Sequence, residues 1–262
     1  MDNYSEADAS MWLLRVSIRI PALVLGTLGL FFVRLLVWPS ALFSQRLDRW
    51  LRRRILVVFA RWWIFFLGAK VKVRGVPPKP PFFIVANHLT YLDALMLIHQ
   101  TGCIFVARGD IQHWPIMGFM AKSIYLLFID RRDRRDTVRV NKQIRHALDL
   151  GDGIAVFPES RVYSGLDVAP FKSALIQPAI DLELPVHYAT IMYKTHEGCP
   201  PANRIVGWWR PESFFYHVYR LVKYPGFTAT VHFGDEPIRG NDRKELAVAL
   251  SDAVRANFVP LD

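Results

Sequence analysis

An apolar stretch from Ile20 to Val33, resumed after Arg34 by Leu35, Leu36, Val37 and Trp38, constrains this chain most. As a helix it would reach roughly 28 Å, close to the thickness of a bilayer's hydrocarbon core. Pro21 would then stand in the first helical turn, where its missing N–H costs little. Arg34, near the end, would snorkel to the interface. A second apolar run, Ile55 to Ala69, carries Arg61 near its middle. At about 22 Å it is too short to span, and reads as re-entrant or interfacial. Between the runs Arg46, Arg49, Arg52, Arg53 and Arg54 form a basic linker, each worth about 1 kcal/mol beside anionic headgroups.

Charge supports the same reading. The 262 residues carry a formal net charge of +10, and residues 1–76 hold +8 of it. Basic side chains interleaved with apolar runs point to membrane lipids; no recognition motif accompanies them, so nucleic acid is not expected as a partner. A cleaved signal peptide would want a small-residue cleavage site and no second apolar run. A buried pair of core helices is the other alternative. More basic residues follow the first run than precede it, so a true span leaves the following domain on the cytoplasmic side. The chain thus divides into membrane-anchoring helices over 1–69 and an α/β domain over 70–262. With 52% hydrophobic and 21% charged residues it is no disordered chain. Cys103 and Cys199 make neither a disulfide framework nor a CxxC motif.

Beyond residue 69 short apolar runs alternate with helical stretches. Val71 and Val73 alternate with Lys70, Lys72 and Arg74 as a half-buried strand. Further strands are expected at Phe82–Ala86, Ile104–Ala107, Ile124–Ile129, Ile154–Phe157, Val186–Met192 and Phe227–Phe233. Helices are expected near 91–99, 114–122, 136–150, 171–182, 212–223 and 242–258. Asp136 would cap one of them, with Val140, Ile144 and Leu148 as its apolar stripe and Gly151 at its end. This order implies an α/β fold, a mixed sheet flanked by helices, preceded by the membrane-associating segment.

The residues that carry chemistry begin where Phe82–Ala86 runs into Asn87-His88-Leu89-Thr90-Tyr91-Leu92-Asp93. Strand-to-helix corners are where α/β sheets place ligands. With His88 in the turn and Asp93 in the first helical turn the two can meet, and an imidazole held by a carboxylate is a general base of fixed tautomer. Thr90-x-x-Asp93 also reads as a capping box, which would give Asp93 a purely structural task. Both readings stay open. A second corner, Phe128-Ile129-Asp130-Arg131, ends a strand with an arginine whose fork suits a phosphate. A third, Phe157-Pro158-Glu159-Ser160-Arg161, followed by Pro170-Phe171-Lys172-Ser173, brings a carboxylate and cations to one turn. His99, His113, His146, His187, His217 and His232 have no partner spacing and read as structural.

Taken together, the three corners resemble the glycerolipid acyltransferase family, which includes the lysophosphatidate acyltransferases. His88 and Asp93 match its NHxxxxD motif, Phe128 to Arg131 its second block, and Phe157-Pro158-Glu159 the start of its FPEGTR block. Leu184-Pro185-Val186 resembles its proline-centred last block. The likeness runs over roughly 81–190. Ser160 stands where the family has glycine, and Arg161 sits one place early. The resemblance implies His88 and Asp93 as catalytic residues, with Arg131, Glu159, Ser160, Arg161 and Lys172 toward the acceptor. It implies acyl transfer from acyl-carrier protein or acyl-CoA to a lyso-lipid hydroxyl. The acceptor it implies first is 1-acyl-sn-glycerol-3-phosphate, and the stretch 170–175 resembles relatives acting on lyso-ornithine lipid. No cofactor or metal is implied, and His196-Glu197 has no second histidine to make HExxH. A serine hydrolase would want GxSxG, which is absent, with Ser160 its least unsuitable nucleophile; a non-catalytic membrane-binding scaffold would need no His–Asp pair.

Overall fold

The computed structural model describes residues 6–113, 117–129 and 134–261. The chain opens with α1 (Glu6–Val37), α2 (Ser40–Phe43) and α3 (Gln45–Phe66). There follow β1 (Lys70–Arg74), β2 (Phe82–Ala86), α4 (Leu92–Thr101), β3 (Ile104–Arg108), α5 (Met117–Ser123), β4 (Leu127–Ile129), α6 (Arg134–Asp149) and β5 (Gly153–Val156). The last third holds α7 (Gln177–Asp181), β6 (Val186–Thr195), α8 (Ala202–Ile205), α9 (Phe214–Lys223), β7 (Phe227–Phe233) and α10 (Arg243–Ala256). The strands make one sheet in the order β1-β7-β6-β2-β5-β3-β4, parallel throughout except for the β6–β7 pair. The expected mixed sheet with flanking helices is therefore present.

Position in the sheet explains each strand's composition. β2 lies between β5 and β6 and is buried at every residue, as a continuous apolar run in a covered parallel sheet should be. β1 is an edge strand and four of its five residues are exposed, more open than the alternation suggests. Its Lys70, Lys72 and Arg74 protect an edge that would otherwise pair with another chain. The Ile124–Ile129 run yields strand only from Leu127, because Tyr125 turns the chain at φ +60. Asp136 is inside the first turn of α6 rather than capping it, and the 171–182 stretch is a 3-10 turn at Ser173–Leu175 followed by the short α7.

The amino-terminal helices depart from expectation in instructive ways. Pro21 lies inside α1, about four turns from its start, because helix already begins by Glu6. Arg15 and Arg19 donate to the carbonyls of Val222 and Lys223 in the last turn of α9 and of Tyr224 and Pro225 just after it, groups a helix end leaves unpaired. Arg34 does not snorkel: it is 1% exposed, paired with Asp48 at 2.7 Å, and donates to the Ser123 carbonyl. The basic linker and the second apolar run form a single helix, α3, whose Ser44 cap accepts from the Leu47 N–H. One face of α3, carrying Leu56, Ala60, Trp63 and Ile64, joins the same core as β2 and α4, so the run is not re-entrant. Gly26 lets α1 approach α3, since a Cβ there would meet the Trp62 ring. Away from the core, Leu25, Leu28, Phe32, Leu36, Val58 and Phe65 stay exposed. By length and composition Met11–Phe43 is apolar enough to cross a membrane.

Candidate active site

Three chain segments meet at the carboxyl end of β2, the middle of the sheet. Asn87 fixes the exit from β2 by bonding both the carbonyl and the N–H of Ile191 on β6, at 2.9 and 2.7 Å. The chain then turns through His88–Tyr91 into α4. His88 Nδ1 lies 2.9 Å from Asp93 Oδ2, with the Asp93 side chain fully buried and His88 22% exposed. With Nδ1–H donating to Asp93, the Nε2 lone pair is left open. Phe157 stacks on the imidazole at 4.2 Å and 9°, and Phe105 stacks on Phe157 in turn, so the ring plane is set by packing.

Asp93 makes both sets of contacts that its spacing suggested. Its Oδ2 also accepts from the N–H groups of Leu89 and Thr90, at 2.6 and 2.9 Å, which caps the start of α4. The reciprocal Thr90 hydroxyl bond of a capping box is not made, and that hydroxyl is buried without a partner among the described residues. Oδ1 accepts from the Tyr193 hydroxyl of β6 at 2.7 Å. Tyr193 is fully enclosed, and burial together with the Asp93 charge raises its phenol well above the ordinary tyrosine range, so it stays a donor. The sequence reading missed Tyr193: an aromatic in an apolar strand, a hundred residues from its partner, carries no local signal.

The third corner reaches the same place from β5. Glu159 is 1% exposed, and its Oε1 accepts from the His88 N–H at 3.3 Å. Burial, opposed by that N–H and reinforced by the Asp93 charge, pushes its carboxyl up to about 8. Two carboxyls thus lie beside one histidine, and burial favours the protonated form of Glu159. Glu159, expected toward the acceptor, is enclosed and bonds the His88 turn. Ser160 occupies the left-handed region at φ +69, where glycine is at ease. Arg161 is exposed, over the Tyr163 ring at 4.9 Å, and Tyr163 N–H bonds the His88 carbonyl. Lys172 is exposed and its N–H returns to the Pro158 carbonyl, which brings it beside the same turn. Arg131 falls outside the described residues. His217, read as structural, meets the Tyr91 hydroxyl at 3.0 Å; burial and nearby Arg220 push it down to about 4. It ties α9 to the turn before α4.

Known proteins with similar sequences share this arrangement's span. Residues 70–193 match the Acyltransferase family. The chain is 32% identical over 212 residues to the 1-acyl-sn-glycerol-3-phosphate acyltransferase of Neisseria meningitidis, covering 78% of this chain and 81% of that protein. It is 30% identical over 211 residues to the lyso-ornithine lipid O-acyltransferase of Rhodobacter capsulatus, covering 78% and 75%. Its fold is similar to the crystal structure of the 1-acyl-sn-glycerophosphate acyltransferase of Thermotoga maritima, with a TM-score of 0.63 at 17% identity over 91% of this chain and 95% of that one.

Proposed function

The chain belongs to the glycerolipid acyltransferase family, and from that premise we propose that it moves a fatty acyl group from an acyl thioester to a lyso-lipid hydroxyl with His88 as general base. The observation that carries this is the 2.9 Å bond between His88 Nδ1 and a fully buried Asp93. Nε2 takes the proton of the acceptor hydroxyl as its oxygen attacks the thioester carbonyl. Asp93 supports the imidazolium, and collapse of the tetrahedral intermediate expels the thiolate, which recovers the proton. General base catalysis supplies roughly 10²–10⁴-fold; positioning of the acceptor supplies much of the rest. The donor is an acyl-carrier-protein or coenzyme A thioester.

The acceptor proposed first is 1-acyl-sn-glycerol-3-phosphate, its headgroup held by Arg131 with Arg161 and Lys172. Lyso-ornithine lipid is the second reading, supported by the near-equal identity of the two relatives and by Ser160 in place of the family's glycine. The enzyme works at a membrane, attached through the exposed apolar side of α1, with its catalytic domain on the cytoplasmic side. Purified protein should acylate one of these lyso-lipids from a labelled donor, and His88→Ala should lower the rate by at least about 10² with its circular dichroism unchanged. Product from neither lyso-lipid, or full turnover in His88→Ala, would overturn the proposal.

A further inference from the structure

We propose a second binding site, for the phosphate of a membrane phospholipid, between α3 and the turn joining α6 to β5. A cavity of about 290 Å³ lies there, lined by Arg46, Arg49, Trp50 and Arg53 on one side and by Asp149 to Asp152 on the other. That is ample for several waters or for a phosphate headgroup. Asp152 precedes β5, whereas Glu159 and His88 follow β5 and β2. The cavity is therefore at the opposite end of the sheet from the catalytic histidine, and a ligand in it is not the acceptor.

The charges are unequal. Asp152 is bonded by both Arg49 and Arg52, one carboxylate for two guanidiniums. Arg46 and Arg53, one above the other at i and i+7 on α3, have no hydrogen bond or ion pair among the described residues. Asp149 is the one remaining acid in the lining. Counting Arg52 with the lining residues, the site carries an excess of two positive charges. Guanidinium forks hold phosphate oxygens in pairs, so an anionic phosphate is the chemistry that completes the site. The apolar surroundings point to its source. Trp50 of the lining is exposed, and Leu42, Phe43 and Leu47, the exposed apolar side chains that precede or adjoin Arg46 in the chain, extend the apolar surface of α2 and α3. A phospholipid could set its phosphate on Arg46 and Arg53 while its chains lie along that apolar surface.

The test uses the full-length protein in detergent, reading its thermal midpoint as phosphatidylglycerol, phosphatidylcholine or inorganic phosphate is added. Phosphatidylglycerol should raise the midpoint more than phosphatidylcholine, which has the same tails. Arg46→Gln/Arg53→Gln should weaken the apparent affinity about tenfold or more, whereas Arg61→Gln/Lys70→Gln, removing equal charge outside the cavity, should leave it near wild type. Acyl transfer should be unchanged in both. An equal response to inorganic phosphate alone supports the phosphate site and overturns the lipid as its source. Equal weakening by the two pairs would reduce the effect to diffuse surface charge and overturn the site, as would an unchanged response in Arg46→Gln/Arg53→Gln. If that variant fails to fold, Arg46→Lys/Arg53→Lys replaces it: it should bind several-fold more weakly, and wild-type affinity there would overturn the site.

Discussion

Asp93 satisfies four donors with two oxygens: His88, the N–H groups of Leu89 and Thr90, and the Tyr193 hydroxyl. The cap of α4 and the hold on the His88 ring therefore depend on the same atoms, and Tyr193 is the donor that can be removed with least damage to the cap. Tyr193→Phe should lower kcat about tenfold, the worth of one hydrogen bond to a charged group, with KM for the lyso-lipid unchanged because the hydroxyl touches no substrate. Steady-state kinetics check this; unchanged kcat, or a rise in KM alone, would deny Tyr193 a positioning role. Glu159 gives a second prediction. Its carboxyl rises from an ordinary 4.5 to about 8 on folding, so in that window the folded protein holds a proton that the unfolded chain has lost. Stability then falls as pH climbs through the window. Glu159→Gln mimics the neutral form, and its melting advantage over wild type should widen from about pH 5 to about pH 8. A pH-independent gap between the two melting curves would mean that Glu159 is charged in the fold.

Among elements, α3 is held to the sheet by charge as well as by packing. Arg52 is completely buried, and its carboxylate partner, Asp152, stands immediately before β5. Tyr125 adds its ring face to Arg34, Arg49 and Arg52, with centroid distances of 5.7, 4.8 and 5.5 Å, and its hydroxyl bonds Asp48. Breaking one partner of a buried pair strands the other charge, which costs about 3–5 kcal/mol. Asp152→Asn should lower stability by that order in a denaturant titration. Asp167→Asn is the comparison, since Asp167 pairs with Arg255 at the exposed surface, where such pairs are worth about 0–1 kcal/mol. Equal small losses in the two variants would show that the α3 clamp contributes little.

For the whole molecule, the question is whether residues 1–69 form an anchor that can be cut away. Leu23, Leu56, Ala60, Trp63, Ile64 and Leu67 are buried in the core shared with β2 and α4. Removing 1–69 exposes the far side of that core, so the truncated protein is expected to aggregate, not to become soluble and active. Size-exclusion chromatography and circular dichroism decide it. A folded soluble monomer after truncation would show that the helices only cover the sheet and do not complete it.

The sequence by itself determined what depends on neighbours along the chain. A continuous apolar run marks β2, and apolar residues alternating with Thr228, Thr230 and His232 mark β7, both at their observed bounds. That a histidine and an aspartate five residues apart can meet at a strand-to-helix corner is legible locally, and Ser160 at a turn that wants glycine is legible as a departure before its φ of +69 is known. Tertiary structure alone decided what depends on distant partners. Arg34, Arg49 and Arg52 look like membrane-surface cations by local spacing, yet they are committed inside the protein because Asp48 and Asp152 are brought to them. Tyr193 reaches Asp93 only because β6 pairs with β2 in one register, Ala86 beside Ala189. Hydrophobic period and turn sterics act over a few residues, so they are written locally. A buried charge must instead find its counter-charge wherever the fold places it, and no local pattern can announce that choice.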